Sequence, residues 1–152
     1  MSNTLQTFLA DATRKAAGNV VTAILNLPED RRNWKPADTS RTALDQLAEC
    51  AMNNGFTADI VEQRSMPFHS QQDYLKKKAD LVATGYDAIK ALLDTNTERM
   101  ISVILAFPDD NLVDEMDLPW GRSKLAEILA YPYWNMAYHE GQVNYIASLL
   151  SL

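Results

Sequence analysis

The stretch "NMAYHEGQV", residues 135–143, sets Asn135 and His139 four positions apart, with Gln142 three further on. On a helix that spacing stacks the three side chains on one face. An imidazole there is either a ligand for zinc or a similar metal or a general base. A second group of such residues lies in "DQLAEC": Cys50 shares a stripe with Leu47, Ala51 and Asn54, and Glu49 sits about 100° away round the helix. A thiolate is a good ligand for a soft metal and an amide oxygen a poor one. Cys50, His139 and Asn135, with Glu49 able to swing in, therefore make a weak divalent-metal set. Glu49 beside His139 makes an acid–base pair instead. A plainer alternative needs no site at all. His139 is then a hydrogen-bonded core residue and Cys50 a small hydrophobe, with Asn135 bonded to His139 or to the carbonyl that Pro132 frees. His69, in "SMPFHSQQ", reads as solvated. There is no phosphate loop and no nucleophile elbow.

Four amphipathic segments have to position these groups. Leu5, Phe8, Leu9, Ala12, Ala16, Val20, Ile24 and Leu27 form one helical stripe over residues 3–27, ended by Pro28. The second helix is expected to start at Thr39 or Ser40, either of which can cap it, and its segment closes at Pro67. Ser70, three residues before Asp73, opens a third helix over about 70–106, with Gly85 tolerated inside and "DTNT" as its one disturbed point. Ser123 is the expected cap of the fourth helix, and Pro132 should kink it. No segment alternates as a strand; "NLVDEMDL" is at most a short extended piece. The three tryptophans, Trp34, Trp120 and Trp134, read most simply as packing anchors, although Tyr131 and Trp134 would also suit a helix-four interface. The expectation is an all-α chain, one four-helix-bundle domain over residues 1–152.

Charge and composition limit the function. Net charge is −6 and the pI about 4.8. The basic clusters, Arg31-Arg32 and Lys76-Lys77-Lys78, are short and flanked by acids, so they read as solvated helix faces and nucleic acid is not an expected partner. The lone Cys50 suits a reducing compartment. The N-terminal residues lack the pattern of a signal peptide, and no run nears the ~20 apolar residues of a membrane span. A soluble, cytoplasmic protein with no membrane partner is expected.

The chain also resembles a known family. "YHEGQV" resembles part of the HxxxHxGQ signature of the DinB/YfiT-like superfamily. "LNLPEDRRNWKPADTSRTALDQLAEC" is similar to that family's first loop and second helix, and "LPWGRSKLAEILAY" to its entry into helix four. The resemblance covers nearly the whole chain. It implies a four-helix bundle, often a homodimer, with a three-histidine site for one divalent metal such as zinc, nickel or iron. It also implies transferase chemistry on low-molecular-weight thiols such as bacillithiol or mycothiol. By that resemblance His139 is the last histidine of the signature and Asn135 stands where the one before it would be. The helix-two histidine falls at Cys50, or at Glu49 if the register slips by one. One histidine of three is kept.

The functional expectation is a bundle with a degenerate metal site, serving as a small-ligand-binding or dimeric interaction module, in which the metal is dispensable. The alternative is a metal-dependent thiol S-transferase-like enzyme using Cys50 or Glu49, Asn135 and His139. A third reading is a metal-free enzyme with His139 as general base beside Glu49.

Overall fold

The computed structural model describes residues 4–151. In chain order its elements are α1 (Thr4–Leu25), α2 (Ala43–Gln63), α3 (Gln71–Ala83), α4 (Tyr86–Ala106), β1 (Glu115–Leu118), β2 (Gly121–Lys124) and α5 (Leu125–Leu149). Single 3-10 turns follow Pro28 and Pro108, whose ψ angles of 144° and 136° are extended rather than helical.

The expected helix boundaries shift at three places. The cap of α2 is Thr42, not Thr39 or Ser40. Its hydroxyl accepts from the Asp45 N–H at 3.0 Å. Ser40 N–H instead donates to Ala37 O in a turn, and Leu44 N–H donates to Arg32 O, tying the helix start to the preceding loop. The expected single helix over 70–106 is two helices. Gly85 takes φ +87°, which an L side chain rarely adopts, and the chain turns there. "DTNT" lies undisturbed within α4.

The third shift is at "NLVDEMDLPWGRS", where half of an expected connection is a β-hairpin. Glu115 pairs with Lys124 and Leu118 with Gly121 across a turn at Pro119 and Trp120. Ser123 is therefore a strand residue and does not cap α5. The Glu127 side chain accepts from the Lys124 N–H at 2.9 Å in its place. The helix then runs through buried Pro132 without interruption.

Four helices share the core. α2 packs against α4 and α5, and α1 against the same two, so the order round the core is α1, α5, α2, α4. One apolar cluster joins Val20, Ile24, Leu47, Leu93, Met136 and Val143. A second joins Leu9, Val61, Met100, Ile104, Leu125 and Leu129. Buried Asn54, which donates to Thr97 Oγ1 at 2.9 Å, is in neither cluster. In α1, Gln6 is buried and donates to Phe107 O, while Leu5 and Phe8, expected on the inner stripe, are exposed.

α3 lies against α2 and α4, and its one buried residue is Lys78. That corrects the reading of the Lys76-Lys77-Lys78 run as a wholly solvated face. Trp34 packs against the first cluster as expected, but Trp120 and Trp134 are exposed rather than anchors. No described helix is long and apolar enough to cross a membrane.

Candidate functional site

Helical spacing builds the site from two facing elements. On α2, Gln46 and Glu49 are three apart. Arg41, just ahead of the helix, Asp45 and Glu49 follow one another at intervals of four, and so lie along one ridge. On α5, His139 and Gln142 are three apart. Where α2 and α5 pack, His139 meets both ridges. Its Nε2 lies 3.0 Å from Glu49 Oε1. Its Nδ1 lies 3.0 Å from Gln46 Oε1 and 2.8 Å from Gln142 Oε1. The imidazole is 1% exposed, and oxygens meet it at both nitrogens.

The second carboxylate oxygen of Glu49 faces cations. Arg41 Nη2 is 2.7 Å from Glu49 Oε2, and Lys78 Nζ is 3.4 Å from the same atom. Arg41 also pairs with Asp45, and Lys78 Nζ reaches Asp45 Oδ1 at 3.3 Å. Burial opposes the Glu49 charge. The hydrogen bond from His139, the Arg41 guanidinium and the Lys78 ammonium outweigh it and draw the carboxyl down to about 2.

Of the four residues expected to share a site, Glu49 and His139 are in direct contact. Cys50 and Asn135 pair separately, with Asn135 Nδ2 and Cys50 Sγ 4.0 Å apart, both buried. Burial, and then the Glu49 charge, push the Cys50 thiol well up, so the sulfur stays protonated. Gln46, Arg41, Asp45 and Lys78 escaped the sequence reading. The ladder Arg41-Asp45-Glu49 was open to view in "RTALDQLAE"; nothing in "KKK" marks Lys78 over its neighbours.

Glu49 also borders a cleft of about 1220 Å³ between α2, α3, the hairpin and α5. One wall is aromatic. Phe56, Phe68 and Tyr74 sit with ring centroids 5.3–5.9 Å apart. Ile60, Ile128 and Tyr131 add apolar surface, and Trp120 and Arg122 of the hairpin stand at the rim. Burial and the Glu49 charge raise both the Tyr74 and the Tyr131 phenol, which leaves them as neutral donors. His69, expected in solvent, is exposed and borders the cleft. His139 does not line it.

No family sequence model matches the chain, and no curated protein matches it in sequence. Solved structures do match in shape. A DinB-like protein from Bacillus subtilis, YjoA, superposes with a TM-score of 0.66 at 13% identity, over 95% of this chain and 92% of that one. The chain has the DinB-like fold. A mutant of the mycothiol-dependent maleylpyruvate isomerase gives a TM-score of 0.77 at 12% identity, over 91% of this chain. The match spans 60% of the isomerase's length. The colibactin self-resistance protein ClbS, solved in complex with double-stranded DNA, gives 0.70 at 10% identity, over 94% of this chain and 95% of that one.

The DinB-like resemblance implied a three-ligand metal site, and the residues present do not fit one. Glu49 and His139 are bonded to each other, Cys50 is a protonated thiol paired with Asn135, and Arg41 and Lys78 take up the remaining Glu49 oxygen. Among the described residues no group of three or more His, Cys, Asp or Glu side chains is placed to hold an ion.

Proposed function

We propose that the chain binds a small, largely apolar organic molecule in the cleft, with Glu49 as its ionised contact. The cleft carries this reading. It is large enough for a drug-sized ligand, has one aromatic wall, and brings a few polar groups to that wall. Acid–base catalysis has less support. His139 is sealed behind Glu49, and a carboxylate held at about 2 is a poor base near neutral pH. Net charge −6 weighs against duplex DNA, the partner of the ClbS neighbour, as the ligand here.

The test uses the neutral fluorophore N-phenyl-1-naphthylamine. Saturable binding of one equivalent, weakened at least about 10-fold in Phe68→Ala and unchanged in Trp134→Ala, is the expected result. Binding that ignores Phe68→Ala would place the ligand elsewhere. The mycothiol dependence of the isomerase neighbour gives the alternative, a thiol-dependent transferase. Displacement of the fluorophore by mycothiol or bacillithiol would favour it.

The outer face of α5 favours association with a second copy as an accompanying role. Tyr131, Trp134 and Tyr138 are exposed and lie in series, Tyr131 tilted against Trp134 at 5.7 Å and Trp134 stacked on Tyr138 at 5.5 Å between ring centroids. Tyr145, 65% exposed, continues the seam two turns on. The spacing 131, 134, 138, 145 is that of a helix–helix seam.

A further inference from the structure

The cation pair at Glu49 has a role that ligand binding in the cleft does not call for. Two carboxylates, Glu49 and Asp45, face two organic cations, Arg41 and Lys78. Each carboxylate touches both cations. Lys78 is the one buried residue of α3, and its side chain is 10% exposed, so its ammonium is held in place and is not free to swing away. The cluster is neutral as it stands.

A site made of neutral imidazoles leaves the charge of a bound divalent ion uncompensated, and the ion is welcome for its bonds alone. Here the helix-two position that faces His139 is a carboxylate, and its charge is already met. An incoming ion would have to displace the His139 hydrogen bond from Glu49 Oε1. It would then lie beside two positive charges paired with the same carboxylates, whose side chains are 10% (Lys78) and 35% (Arg41) exposed, so that solvent screens their repulsion only in part. The disagreement between these residues and a metal therefore goes deeper than two missing histidines.

We propose that Arg41 and Lys78 stand in for the metal: they supply the positive charge at Glu49 that an ion supplies elsewhere, and they exclude divalent ions from the Glu49–His139 pair. The pair is a fixed-charge centre, and the cations, more than the ligand count, decide that. The inference is independent of what the cleft binds, because it concerns occupancy by a metal alone.

The test is titration of the full chain with Co²⁺ and Zn²⁺, followed by visible absorption and by calorimetry. Arg41→Gln with Lys78→Gln removes both cations and leaves Glu49, Asp45 and His139 in place. The wild type should bind neither ion in a His139-dependent way. The double variant should bind one equivalent, tighter by about 100-fold or more, because a doubly charged ion feels each removed charge twice over. Adding His139→Gln should abolish that binding. If the double variant does not fold, as circular dichroism would show, Lys78→Gln alone keeps the Arg41 pairs and should still gain about 10-fold. One equivalent of metal in the wild type, lost in His139→Gln, overturns the proposal. So does a folded cation-free variant that binds no tighter than the wild type, since the missing ligands alone would then explain the exclusion.

Discussion

Glu49 on α2 and His139 on α5 face each other at 3.0 Å, carboxylate to imidazole, across a helix pair that carries no other charge-assisted contact among the described residues. The bond joins segments ninety positions apart in sequence, so it forms late on any path that builds the helices first. It also sets what the acid does. An isolated carboxyl at this depth would rather be neutral, and this one is held ionised.

That has a consequence for acid stability. The folded-state pKa of Glu49 is depressed to about 2 from 4.5. Its contribution is therefore fully present above 4.5 and is lost as pH falls towards 2. Urea unfolding of wild type and Glu49→Gln should show the wild type ahead near neutral pH, by ~1–2 kcal/mol after allowance for partial solvent access, and the gap closing by about pH 2.5. A gap that stays constant with pH would mean that the carboxylate is not held in its charged form.

Replacing His139 with Ala removes a filled volume and takes a hydrogen-bond partner from Glu49, Gln46 and Gln142, of which Glu49 keeps Arg41 and Lys78. The expected loss is ~2–4 kcal/mol in denaturant unfolding, with unchanged m-value. A loss under about 0.5 kcal/mol would show that the network adds nothing to stability.

On α2, Gly55 makes room for the Asn96 side chain of α4. A Cβ there would lie 2.7 Å from Asn96 Nδ2, which is itself engaged by a 2.8 Å bond to Ala51 O. Gly55→Ala should cost ~1–3 kcal/mol despite its better helix propensity, and Asn96→Ala should recover most of the loss in the double variant. If Gly55→Ala stabilises, as at an exposed helical site, the helices have room that the contact denies.

The aromatic seam on α5 predicts a concentration-dependent assembly. Trp134→Glu should sediment as a monomer at concentrations where the wild type sediments as a dimer, and its Tm should lose any dependence on concentration. A wild type that is monomeric throughout would leave the seam to another partner.

Much of this architecture was legible because it depends on periodicity. The stripes of Val20, Ile24 and Leu27, of Leu44 and Leu47, and of Met136, His139 and Val143 all point inward as read. The failures share a cause. The break at Gly85 keeps helical phase on both sides, so periodicity passes over it; only the backbone angle reveals it. The hairpin strands are four residues each and mostly exposed, too short and too polar to alternate visibly. Within the site, Asn135, His139, Glu49 and Cys50 were each placed on a face correctly. Which of Cys50 and Glu49 turns to His139 depends on how α2 rolls against α5, and a single helix does not encode that. Lys78 comes from a third element, whose docking no local pattern announces.

That docking matters for motion. α3 closes one side of the cleft through Gln71 and Tyr74 yet buries a single residue in the body of the protein, an ammonium. Beyond that ammonium α3 adds only half-buried contacts, Leu81 and Val82 on the first core cluster and Tyr74 on Phe56 and Phe68, and an element that buries so little has a low free energy of local opening. Its amides should exchange with deuterium well ahead of those of α2 and α5, and faster at high salt, where the core helices should be indifferent. The segment that gives the cleft its wall would then also be the first to come away, so a guest could enter without the remaining helices parting.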